Sequence, residues 1–66
     1  MNITVNGLKQ TIDNIKNLQD LLNHIFEKDK GIIVELNKEI IHRDQWKEQP
    51  LKEGDNIELI QFIGGG

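Results

Sequence analysis

The 66-residue chain contains no cysteine and carries a formal net charge of −3, so it is one small domain without disulfide staples, thiolate nucleophiles or thiolate metal ligands. The acidic balance argues against the clustered basic footprint that nucleic acid demands. No run approaches the ~20 apolar residues of a membrane span, and the stretch from Met1 to Thr4 lacks the basic region of a leader, so a cytoplasmic location is expected.

Ile3-Thr4-Val5 alternates apolar and polar, which predicts a half-buried strand. Asn6-Gly7 is a strong hairpin signal, because both residues tolerate the positive φ of a tight turn. Leu8 to Ile12 then reads as the returning strand. Leu18, Leu21, Leu22, Ile25 and Phe26 follow helical spacing and predict one apolar stripe. Asn17 is placed to cap that helix, with Asp20 near the positive end of its dipole. Lys28 and Lys30 lie near the other end, and Gly31 can take the left-handed turn that stops it.

Residues 32–36, Ile-Ile-Val-Glu-Leu, form a β-branched run of strand length. Asn37-Lys38-Glu39 reads as a turn and Ile40-Ile41 as a short strand. The stretch from His42 to Leu51 has no clean period and predicts irregular backbone with one helical turn around Asp44 to Trp46. Pro50 excludes a long element there. Glu53-Gly54-Asp55 is a turn, and Asn56 to Ile63 is the final strand. The expected class is α+β: a mixed four- to five-stranded sheet with one main helix on one face. The expected division is a domain of residues 1–63 and a glycine tail of residues 64–66.

Gly64, Gly65 and Gly66 follow the last strand without a linker. Glycine keeps maximal backbone freedom, so the arrangement reads as a thread on a rigid post. Extended, it reaches roughly 10 Å, enough to carry a carboxylate into a partner's active site. A carboxylate is a poor electrophile until it is activated, most simply as an acyl-adenylate made from ATP. The chain has no Gly-rich phosphate loop with the following lysine and helix. ATP is therefore expected on a partner, with this chain as carrier and substrate, no catalytic residues and no bound cofactor. The competing reading is a terminal tract with no function.

The remaining candidates are weaker. His24 falls on the helix away from the stripe, and His42 lies in the irregular stretch. Two isolated histidines make a poor metal site, and none is expected. Trp46 is expected to close one end of the core, with a partner contact as the alternative. In the final strand Ile57, Leu59, Gln61 and Ile63 share one face, and Glu58, Ile60 and Phe62 the other. One helix covers only one face of a sheet. Ile33, Ile60 and Phe62 are therefore expected to form an apolar docking patch near the base of the tail, unless the segment from His42 to Leu51 folds over them.

Several segments, taken in order, resemble the ThiS family of sulfur carriers of thiamine biosynthesis: Val34-Glu35-Leu36-Asn37, Ile40-Ile41, Arg43-Asp44-Gln45-Trp46, the run from Leu51 to Glu58, and the run from Phe62 to Gly66. The resemblance spans nearly the whole chain and implies a ubiquitin-like β-grasp fold. It also implies a mechanism. A ThiF-like enzyme adenylates the Gly66 carboxylate, and sulfur from a donor such as a cysteine desulfurase converts it to a thiocarboxylate. A ThiG-like thiazole synthase then takes that sulfur. Gly64 and Gly65 thread the tail into the partner. Position 42 is His where the family often has Pro, which leaves the local loop conformation open. Alternatives are a carrier like the small subunit of molybdopterin synthase, whose chains are usually longer, a ubiquitin-like modifier, and a plain β-grasp interaction module.

Overall fold

The alternating N-terminal run forms strand β1 (Asn2–Val5) and returns as β2 (Leu8–Thr11) in the computed structural model, which describes residues 1–25 and 31–61. Val5 lies opposite Leu8, leaving Asn6 and Gly7 as the connection. Their φ values of 50° and 82° are those of a primed turn, whose twist matches the flanking strands.

Helix α1 (Leu18–Ile25) starts where the capping residues place it. Asn17 Oδ1 accepts from the Asp20 amide at 2.8 Å, satisfying one of the free donors of the first turn. Asp20 Oδ2 accepts in turn from the Lys16 amide at 3.2 Å. Leu18, Leu21 and Leu22 are buried, whereas Ile25, placed on the same stripe, is 36% exposed. Phe26, Lys28 and Lys30 lie outside the described residues.

Strand β3 (Ile32–Leu36) turns through Asn37 and Lys38 into β4 (Glu39–Ile41). Asn37 and Lys38 have φ of 52° and 74°, so this hairpin also uses a primed turn, and Glu39 belongs to the strand rather than to the turn. A 3₁₀-helix then runs from Arg43 to Glu48, longer than the single turn expected around Asp44 to Trp46. The reason is tertiary. Trp46 is 1% exposed, its Nε1–H donates to the Ile41 carbonyl at 2.9 Å, and the segment packs against α1. In a 3₁₀-helix residues three apart eclipse, and the Arg43 guanidinium lies 6.0 Å from the centre of the Trp46 ring.

The backbone at His42 settles the open loop conformation. Its φ is −71°, within the range that a proline ring imposes. His42→Pro is therefore expected to raise stability by about 0.4–1 kcal/mol through the unfolded state. A thermal melt checks this, and a lowered midpoint would count against it.

The last strand, β5 (Asn56–Gln61), completes a five-stranded sheet in the order β2-β1-β5-β3-β4. It runs parallel to β1 and antiparallel to β3. Strand alternation turns Ile3, Val5, Val34, Leu36 and Ile57 inward, where they pack with Leu18, Leu21, Leu22 and Trp46. A mixed sheet grasping one helix is the β-grasp arrangement that the resemblance implies. No helix among the described residues is long and apolar enough to cross a membrane.

Candidate functional site

The strand that precedes the tail in the chain is the middle one of the sheet, and it is held at its start and at its middle. At its start, the Asn37 amide donates to the Asn56 carbonyl at 2.8 Å, and the Asn56 amide donates to Asn37 Oδ1 at 2.9 Å. Asn37 Nδ2–H also donates to Asp55 Oδ1 at 3.1 Å, while Asp55 Oδ2 accepts from the Lys52 amide at 2.9 Å. Asp55 is 3% exposed, and these donors supply the partners a buried carboxylate requires. Nearer the tail, the Asn6 amide donates to the Ile57 carbonyl at 2.9 Å, and Asn6 Oδ1 accepts from the Leu59 amide at 2.7 Å. The regular β1–β5 pairing stops at Val5 and Ile57. The Asn6 side chain extends it by standing in for the next backbone acceptor.

The face of the sheet away from α1 carries the predicted patch residues that are described. Ile33 and Ile60 lie directly opposite each other on β3 and β5. Ile60 is 48% exposed and Ile33 is half-buried. The 3₁₀-helix packs on the α1 side, so the segment from His42 to Leu51 does not lie over this pair. Phe62, Gly64, Gly65 and Gly66 lie outside the described residues. In the adjoining row Glu35 faces Glu58 across β3 and β5 and faces Ile40 across β3 and β4. Ile40 is 57% exposed.

Neither histidine joins a metal-ligating group: no cluster of three or more His, Cys, Asp or Glu able to hold an ion exists among the described residues. Trp46 is buried in the core with its N–H satisfied. Two features escaped the sequence reading. The Asn37–Asp55–Asn56 network joins residues 18 and 19 positions apart, a link that local pattern does not reveal. Asn6 was legible as a turn residue, but not as a clamp on β5, which lies 53 residues away in the chain.

The geometry is thus a rigid central strand, an apolar pair on an open sheet face beside it, and a glycine tract following in the sequence. Comparison with known proteins agrees with this layout. The model of the ThiS family matches residues 3–66. The chain is 45% identical over 49 residues to the sulfur carrier protein ThiS of Bacillus subtilis (strain 168), covering 74% of each chain. Its structure is similar to the crystal structure of the thiamine biosynthesis protein ThiS from Geobacter metallireducens, with a TM-score of 0.84 and 36% identity over the full length of both chains. All 66 residues also align, at 27% identity, with 20% of a longer protein, the thiazole synthase of Paramagnetospirillum magneticum (strain ATCC 700264 / AMB-1).

Proposed function

This chain belongs to the ThiS family of sulfur carrier proteins of thiamine biosynthesis, and from that premise we propose that its sulfur travels as a thiocarboxylate on Gly66. A carboxylate oxygen of Gly66 attacks the α-phosphorus of ATP on a ThiF-like partner, and pyrophosphate leaves. A sulfur nucleophile, supplied by a cysteine desulfurase as a persulfide, then displaces AMP at the acyl carbon. Cleavage of the resulting acyl disulfide by a thiol leaves the thiocarboxylate, and a thiazole synthase accepts that sulfur. The division of labour follows the sequence. Residues 1–63 form the domain that the partner recognises, Gly64 and Gly65 deliver the end, and the chemistry is confined to Gly66. Ile33, Ile60 and Phe62 form the docking patch, and the cytoplasm is the site of transfer.

The observation that carries this reading is the family match, which runs through the last glycine. The thiazole synthase relative adds support on the acceptor side. An aligned carrier-like segment within a synthase chain is what a fusion of donor and acceptor gives, and fusion raises the effective concentration of two groups that must meet. The test is intact-mass spectrometry after incubation with ATP, the adenylating partner, a desulfurase and cysteine. The expected result is a gain equal to one sulfur replacing one oxygen, mapped to Gly66. No gain under conditions that modify the Bacillus subtilis carrier would refute the reading.

A further inference from the structure

Two glutamates on the open face are placed where sheet energetics disfavours them. Glu35 and Glu58 are direct cross-strand neighbours, and both are half-buried. Like charges directly opposite each other destabilise a strand pair. The outward positions on β3, β4 and β5 are Ile33, Glu35, Ile40, Asn56, Glu58 and Ile60, none of them basic. Lys9 shares the face, but it stands on β2, beyond Thr4 of β1, which pairs with Asn56. Neither carboxylate has a cationic partner among the described residues.

We propose that Glu35 and Glu58 together receive one arginine side chain of the adenylating partner, with apolar groups around that arginine seated on Ile33, Ile40 and Ile60. This rests on the reading of the chain as a carrier that docks on such an enzyme. The pairing follows from shape as well as sign. A guanidinium offers five N–H donors in one plane and bridges two carboxylates, whereas an ammonium is a point charge. Partial burial beside isoleucines lowers the local dielectric and strengthens the contact. Two carboxylates alone do not make a metal site, and no third ligand joins them among the described residues. Position adds the functional link. Glu58 and Ile60 lie on β5, which precedes Gly66 in the chain, and a span of six residues can reach at most roughly 20 Å. A cation clamped here fixes the base of the tail relative to the partner's ATP site.

The experiment compares the native full-length chain with the E35Q/E58Q variant, which keeps the shape and removes both charges. Affinity for the purified adenylating enzyme is measured without ATP across a series of salt concentrations, alongside thermal melts. Expected are roughly tenfold or greater weakening at low salt, a shallower salt dependence, and a melting temperature equal to or above that of the native chain. The last readout separates recognition from structure, because relieving repulsion cannot weaken binding by unfolding the domain. Native affinity and a native salt slope in the variant would overturn the proposal. The carrier reading fails differently: a native chain that binds but is never adenylated refutes the carrier role, while the binding comparison still decides on the glutamates.

Discussion

Deletion of Gly66 alone is expected to slow partner-catalysed ATP–pyrophosphate exchange by roughly 10²-fold or more, with the melting temperature unchanged. The shortened chain still ends in a glycine carboxylate, because Gly65 becomes terminal. The functional group is the same and only its reach changes, by ~3.3–3.6 Å. Misplacement of a reacting group by ~1 Å can already cost about 10²-fold. The fold cannot make up the loss by sliding its last strand. Strand β5 is paired on both sides and clamped by Asn37 at its start and by Asn6 at Ile57 and Leu59. A slip of one residue would turn Ile57 out and Glu58 into the core. Exchange at saturating partner, measured beside a melt, checks the expectation. Native exchange by the shortened chain would show that reach is not what positions the carboxylate.

Trp46→Ala is expected to cost about 3–5 kcal/mol. That is as much as a single core supplies in a domain of this size, ~3–5 kcal/mol, so the variant should be largely unfolded at room temperature. Two losses combine. The indole fills the space between the 3₁₀-helix and α1 at 1% exposure, and its N–H satisfies the Ile41 carbonyl. Urea denaturation followed by far-ultraviolet circular dichroism gives the number. Trp46→Phe separates the terms: it keeps most of the ring and removes only the Nε1–H bond to the Ile41 carbonyl, for a smaller cost of about 0.5–1.5 kcal/mol. If Trp46→Ala keeps a native transition, the ring is not what joins the 3₁₀-helix to the core.

What could be read from the sequence divides by range. The Asn6-Gly7 hairpin and the Asn17 cap were legible, because turn and cap chemistry act within four residues. Alternation placed Ile33 and Ile60 on one face, and the structure sets them directly opposite each other. The 3₁₀-helix was underestimated because Trp46, not local propensity, holds it. Ile25 was assigned to the buried stripe, yet it is partly exposed at the helix end. The strand order was not legible at all. Nothing local announces that β1 pairs with β5 in parallel, since the two are separated by almost the whole chain. The tail drew its meaning from the segments before it, and the family match supplies that context independently.

The central place of β5 also bears on when this protein becomes competent during synthesis. Without residues 56–61, β1 and β2 form one hairpin and β3 and β4 another, and the two share no pairing. An isolated hairpin is marginal in water. The sheet therefore closes only when its last strand is inserted between the two, late contacts that slow folding. A nascent or truncated chain presents neither the Ile33–Ile60 pair nor the Glu35–Glu58 pair, because each needs β5 for its second half. If the adenylating partner docks on these pairs as proposed, its recognition of the carrier would double as a check that β5 is in place, and ATP would be spent only on folded carriers.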